Sequence, residues 1–255
     1  MNDTEIFDSC PIRYYECEEA GSILVIHFGI QRVHMEIAVS SGRESQCKRP
    51  RGWIGRWVLR NMNSRHSDVT DWGLHQISIG QSYTILDVGC GGGRTLSKLA
   101  ERAPQGKVYG IDYSEESVAA SKRTNARWLA MGRVEVLHGS VSQLPFSDRT
   151  FDLVTAVETH FWWPNLPSDM QEIFRVVKAG GNFIIIAEVY QGANTRMAKL
   201  CEKYASRTGM TLLDLNGHRG LFSETGYSDT QVSAEPDKGW MCAIGRKLGG
   251  APLSE

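Results

Sequence analysis

The residues with the most chemistry written into their spacing are ILDVGCGGGRT, positions 85 to 95, in which an apolar run enters Gly89, Gly91, Gly92 and Gly93 just before a helix-like interval that begins near Arg94. Glycines let a backbone turn tightly and approach a bulky ligand closely. Asp112 follows the next apolar run, 19 residues after Gly93. That spacing puts a carboxylate on the same crevice, where it can accept hydrogen bonds from a ribose diol. Strand, glycine loop, helix and acid together point to an adenosine-containing ligand. A dinucleotide site expects G-x-G-x-x-G; with Gly89 and Gly91 in its first two places, Arg94 occupies the third, which weakens the NAD reading.

A second set of candidates lies farther along. Glu158, Thr159 and His160 sit just beyond the apolar run FDLVTAV, where the loops of an open α/β sheet carry chemistry. An ordinary histidine titrates close to neutral pH, so His160 suits a general base, with Glu158 to orient it or to hold a cationic group. Trp72, Trp162, Trp163 and Tyr190 could line an apolar acceptor site through large, shape-giving rings; packing in the core is an equal reading for each. Trp57, Asn63 and His66 belong to the distinctive amino-terminal stretch and are further acceptor-side candidates. The six cysteines show no compact ligand spacing, so no metal centre is expected.

These side chains need elements to place them. TILDV (84 to 88), KVYGI (107 to 111), RVEVL (133 to 137), FDLVTAV (151 to 157) and NFIIIAEV (182 to 189) read as strands, separated by helical intervals at 94 to 103, 114 to 130 and 168 to 178. SDTQVSAE (228 to 235) and WMCAIGRK (240 to 247) add two late strands after a helix near 194 to 208 and a glycine-broken stretch. The alternation predicts an α/β fold, Rossmann-like and doubly wound, whose mainly parallel seven-stranded sheet ends in an antiparallel final strand. Upstream, Trp53, Ile54, Trp57, Val58 and Met62 recur at helical spacing and predict an amphipathic helix over 51 to 64. The expected division is an amino-terminal extension and helical cap over 1 to 80, then a core over 81 to 255 carrying a cap insertion around 190 to 225.

Residues 82 to 190 resemble the class I S-adenosylmethionine-dependent methyltransferase family, in its broad small-molecule group. HGSVSQLPFSDRTFDLVTAVETH (138 to 160) and RVVKAGGNFIIIAEV (175 to 189) strengthen the resemblance. It implies that Asp87 organises the methionine end of S-adenosylmethionine, that Gly89, Cys90, Gly91 and Gly93 approach that end, that Asp112 holds the ribose, and that Tyr113, Ser140 and Val141 flank the adenine. Glu158 is a further candidate for the methionyl amine. An aspartate is common in that family where this chain has Ser140, so a hydroxyl or backbone contact is expected there. Methyl transfer needs chiefly alignment of donor and acceptor.

Charge and composition bound the rest. Lys plus Arg number 28 and Asp plus Glu 29, a formal net charge of -1 that offers no overall field for nucleic acid or an anionic membrane. A basic interval from Arg43 to Arg65 is the one local exception, read first as a solvated face. Neither a signal-peptide pattern nor an apolar run of about 20 residues is evident, so a cytoplasmic protein is expected. The expected activity is methyl transfer to a small-molecule acceptor, with a homodimer compatible; an RNA methyltransferase or a noncatalytic S-adenosylmethionine-binding protein is the alternative.

Overall fold

A computed structural model describes residues 12–15, 23–28, 36–38 and 66–249. Three short strands near the amino terminus, β1 (Ile12–Tyr15), β2 (Ile23–Phe28) and β3 (Glu36–Ala38), pair antiparallel in the order β1-β2-β3. The helix expected over 51 to 64, with Trp57 and Asn63, and the basic interval from 43 to 65 lie outside the described residues. Among the described residues, no helix is long and apolar enough to cross a membrane.

The main body opens with helix α1 (Ser67–Leu74) and then alternates: β4 (Thr84–Val88), α2 (Arg94–Arg102), β5 (Lys107–Asp112), α3 (Glu115–Thr124), α4 (Ala126–Ala130), β6 (Val134–His138), β7 (Phe151–Val157), a 3-10 turn at His160–Trp162, α5 (Leu166–Val176), β8 (Val177–Ala187), α6 (Arg196–Thr208), α7 (Leu215–Thr225), β9 (Ser228–Glu235) and β10 (Trp240–Arg246). Seven strands form one sheet in the order β6-β5-β4-β7-β8-β10-β9. From β6 to β8 the pairings are parallel, and β10 runs antiparallel to both β8 and β9. The expected architecture is therefore the observed one. The order reverses between β4 and β7, because the chain winds outward from β4 to β6 and returns to the other side of β4. Such a reversal opens a crevice at the carboxyl ends of the two strands.

The sheet is apolar on both faces because helices cover both. One core contains Leu86, Val154, Ile173, Phe183, Ile185 and Phe222, and the other contains Ile85, Leu96, Leu99, Val108, Leu153 and Ile184. Residues adjacent along β4 and β8 thus serve opposite cores, which is why both strands read as continuous apolar runs.

Three local outcomes differ from the sequence reading. The interval 114 to 130 is two helices, broken at Asn125, which is wholly buried and donates through its side chain to the Gly93 and Ser121 carbonyls at 2.8 and 3.0 Å. β8 starts at Val177, ahead of the strand expected from 182, and so includes Gly180 and Gly181; its register against β7 shifts there, the Gly180 amide donates to the Lys247 carbonyl and the Lys247 amide to the Gly181 carbonyl. The glycine-broken stretch holds α7, capped by Asp214 accepting from Gly217 N. His218, Leu221, Phe222 and Thr225 recur on its buried side, and that burial outweighs the roughly 1 kcal/mol helix penalty of each interior glycine.

Candidate functional site

The glycine loop leaves β4 at the point of reversal. Gly89 has φ +73° and its amide donates to the Ile111 carbonyl at 2.8 Å, as does Cys90 at 3.1 Å, fastening the loop to the end of β5. A Cβ on Gly89 would lie 2.2 Å from Thr159 Oγ1, so the loop rests directly on the turn after β7. Gly91 has φ +50°, and its missing Cβ faces space in which the nearest atom is the Gly89 oxygen at 4.0 Å. Bare backbone with room before it is what a bulky ligand approaching the loop requires.

Two buried carboxylates flank this loop. Asp112, at the end of β5, accepts from Gly91 N through Oδ2 and from Ser114 N through Oδ1, each at 2.9 Å. Burial raises its pKa against the lowering effect of those backbone donors. The carboxylate ties loop to strand and keeps lone pairs for a hydroxyl-bearing ligand. Asp87 is 2% exposed and accepts from Thr155 Oγ1 at 2.6 Å. Its pKa is pushed up to about 7, chiefly by burial, with the Thr155 hydroxyl lowering it and the Asp112 charge raising it. A cationic group beside Asp87 would relieve that penalty.

Behind the loop stands a polar scaffold. Asn125 Oδ1 accepts from Ser97 Oγ at 2.8 Å while its amide nitrogen holds the Gly93 carbonyl. Cys90 is buried, its thiol pushed well up by burial and by the Asp112 and Asp87 charges, so it is a packing group. On the expected adenine side, Tyr113 and Ser140 are half-buried and Val141 is buried. The Tyr113 carbonyl meets His138 Nε2 at 2.9 Å, and Ser140 Oγ accepts from Ser142 N at 3.2 Å. These residues fit an adenosyl ligand: bare glycine backbone, a carboxylate at the end of the second core strand, and a polar and apolar pair beyond.

The other wall is built from β7, β8 and the start of α1. Glu158 follows β7 with φ +58°, a strained conformation for a side-chain-bearing residue. Its amide donates to the Ile186 carbonyl at 2.9 Å, and its Oε1 accepts from Glu188 N. Glu188 follows β8 as Glu158 follows β7. His66 stands immediately before α1, with Nδ1 3.2 Å from Glu188 Oε1. One donor atom from each of His66, Glu158 and Glu188 lies within 4.8 Å of the others. α1 is held by Lys98 and Arg102 of α2, which contact Asp71, and by Gly73 packing on Ile186. The helix that follows the glycine loop therefore also steadies the element presenting His66.

His160 is placed differently. It is 2% exposed, and its Nε2 lies 3.1 Å from His218 Nε2 in α7, whose Nδ1 bonds to the Asp214 carbonyl at 2.8 Å. That carbonyl requires a proton on His218 Nδ1, so His218 Nε2 accepts and His160 Nε2 donates. Burial lowers both pKa values, most strongly that of His160, which the His218 charge lowers further. A neutral pair joining the turn after β7 to α7 is the result. Trp163 and Tyr190 are buried in the core, Trp163 stacking on Phe183, whereas Trp162 is half-buried against Phe161. Trp72 lies on the opposite face beside Trp240, with ring centroids 6.0 Å apart.

Sequence reasoning misses Glu188, Thr155 and Asn125. Glu188 carries a readable signal, an acid one position past an apolar strand, repeating the relation of Glu158 to β7. Thr155 and Asn125 carry none, since a strand threonine and a mid-helix asparagine acquire meaning only when β4 and the glycine loop are brought against them.

A family model described as a methyltransferase domain matches residues 85–181. The demethylmenaquinone methyltransferase of Shouchella clausii is 36% identical over 202 residues, covering 67% of this chain and 80% of that protein. That of Symbiobacterium thermophilum is 40% identical over 103 residues, covering 40% of this chain and 41% of that protein. The chain thus spans 41% to 43% of the length of three such relatives. Among solved structures, a SAM-dependent methyltransferase from Aquifex aeolicus superposes with a TM-score of 0.63 at 19% identity, covering 76% of this chain and 98% of that one. A methyltransferase in complex with the Haloferax volcanii Trm112 activator gives a TM-score of 0.67 at 19% identity, with 82% and 100% covered. At such identities the likeness is one of fold.

Proposed function

This chain belongs to the class I S-adenosylmethionine-dependent methyltransferase family, and from that premise we propose that it transfers a methyl group from that cofactor to a small-molecule acceptor. The cofactor supplies an electrophilic methyl on a sulfonium centre, and the protein's task is alignment and exclusion of water. Asp87 would meet the cationic methionine end, Asp112 the ribose hydroxyls, and the glycine loop the backbone-width gap between them. Glu158 and Glu188 give the acceptor wall its negative character.

The observation that carries this reading is the contact between Gly89 and Thr159. It seats the donor loop against the turn after β7, and on this reading a ligand on the loop would face Glu158, Glu188 and His66. We assign His160 to the scaffold, since its ring is buried against His218. Trp162 is the best placed of the aromatic candidates to border an acceptor, being only half-buried. Residues 1 to 80 and the segment around 190 to 225 would enclose it. The small-molecule acceptor is supported by relatives named for demethylmenaquinone methylation.

The test is calorimetry with S-adenosylmethionine and S-adenosylhomocysteine, followed by methyl-labelled donor with a panel of small metabolites and with RNA. Saturable donor binding and label in a small product, identified by mass, are expected. Label appearing in RNA alone, or donor binding with no transfer to any acceptor, would overturn the assignment.

A further inference from the structure

We infer that His66, Glu158 and Glu188 form a binding site for a divalent metal ion of the manganese or zinc type, set in the acceptor wall of the crevice. The inference concerns ion binding itself and stands apart from the identity of the methyl acceptor.

Geometry is the first support. Three potential donor atoms, one imidazole nitrogen and two carboxylate oxygens, lie within 4.8 Å of one another although they come from three separate elements. His66 Nδ1 and Glu188 Oε1 are 3.2 Å apart. Two ligands set side by side on one ion at about 2.1 Å are separated by about 3.0 Å in octahedral or about 3.4 Å in tetrahedral coordination. The observed spacing lies between those values.

The second support is how firmly the carboxylates are fixed. Glu158 and Glu188 end neighbouring parallel strands, whose register pairs Val157 with Ile186. Glu158 keeps φ at +58°, and the Glu188 amide donates to its carboxylate, which fixes the side chain against β8. Both Glu188 and His66 side chains are 19% exposed. Two carboxylates brought together with so little water favour a cation beside them.

Donor chemistry selects the class of ion. A mixed set of one imidazole and two carboxylates suits manganese, iron or zinc, whereas magnesium and calcium favour oxygen alone and copper(I) favours thiolate. Three protein ligands leave coordination positions open. There the ion would accept an oxygen atom of an acceptor such as an enol, phenol or carboxylate. The expectation of no metal centre rests on the absence of short-range ligand spacing, and these ligands are far apart in the chain.

The experiment uses the full-length protein stripped with chelator and titrated with Mn²⁺, followed by calorimetry and by loss of the free-ion paramagnetic resonance signal. Glu188→Gln and His66→Asn are compared, with S-adenosylhomocysteine affinity measured in each as a report on folding and on the donor site. One Mn²⁺ per chain is expected in the parent, weakened about tenfold or more in both variants, while donor affinity changes by less than about twofold. Absence of saturable Mn²⁺ binding in the parent, with S-adenosylhomocysteine still bound, would overturn the inference. So would Mn²⁺ affinity retained in either variant.

Discussion

The two walls of the crevice are built by different means. The donor wall, at the ends of β4 and β5, is a loop whose own backbone is tied down: Gly89 and Cys90 donate to the Ile111 carbonyl, Gly91 donates to the Asp112 carboxylate, and the Gly93 carbonyl accepts from the Asn125 side chain. The acceptor wall, at the ends of β7 and β8, is instead a cluster of side chains contributed by three elements: Glu158, Glu188 and His66. The first kind of wall recognises a cofactor of constant shape. On the function proposed above, the second, drawn from separate elements, would let each side chain change without disturbing the rest, so that acceptor choice could change while the donor stays the same.

The sharpest way to break the donor wall alone is Gly89→Val. Both the φ of +73° and the 2.2 Å approach to Thr159 Oγ1 oppose a side chain. S-adenosylhomocysteine affinity, read by calorimetry, should fall at least about a hundredfold, which corresponds to about 2.7 kcal/mol. Retained donor affinity would show that the loop does not rest on the turn after β7.

Next in size is Asn125→Ala, which leaves the Ser97 hydroxyl and the Gly93 carbonyl short of a buried partner. A loss of about 2–3 kcal/mol in urea unfolding is expected. Donor affinity should weaken while Mn²⁺ affinity is preserved, which separates the walls. Equal loss at both would mean that they fold as one unit.

Asp87→Asn should pull stability and binding in opposite directions. The folded pKa, at about 7, lies above the ordinary 3.8. Between those values the folded state binds more protons than the unfolded chain, so this group's contribution to stability falls as pH rises through the window and is at its least above about 7. The neutral variant should therefore be more stable than the parent by about 2 kcal/mol at pH 8, and close to it at pH 4. Its donor affinity should drop about tenfold. A variant less stable than the parent at pH 8 would contradict the account of burial.

The smallest effect concerns the histidine pair. Both pKa values are lowered in the fold, so the unfolded chain takes up protons first as pH falls below 6.5, and stability is lost in that direction. Thermal unfolding of the parent between pH 7 and pH 5 should show this slope, up to about 1.4 kcal/mol per pH unit for each ring that stays neutral. The double variant His160→Phe/His218→Leu should flatten it and keep methyl transfer. Loss of turnover with the fold and donor affinity intact would return His160 to the chemistry.

How legible each wall is in the sequence follows from the same contrast. Gly89, Gly91, Gly93 and Asp112 announce themselves because backbone geometry demands glycine at fixed places after a strand, and the next strand end needs an acid. The strands β4, β7 and β9 are readable to the residue, since apolar runs bounded by turns leave little freedom. Asn125 is hidden, because a polar residue within a helical stretch looks like solvent surface until the Gly93 carbonyl is placed against it. His160 misleads for the opposite reason: it has the right residue type at the right strand end, but α7 folds over it, and a stretch broken by Gly217 and Gly220 gives little warning of a helix. His66 reads as an acceptor contact, yet no spacing rule connects it to Glu188.

The position of β10 has a consequence for how the chain is made. It lies between β8 and β9, so the latest of this sheet's seven strands in the chain is inserted inside it rather than added at its rim. During synthesis, β8 must wait with an open edge, and β9 has no partner, until Trp240–Arg246 has left the ribosome. The donor wall can be complete while that edge is still exposed, so a nascent chain could hold cofactor before its sheet is closed.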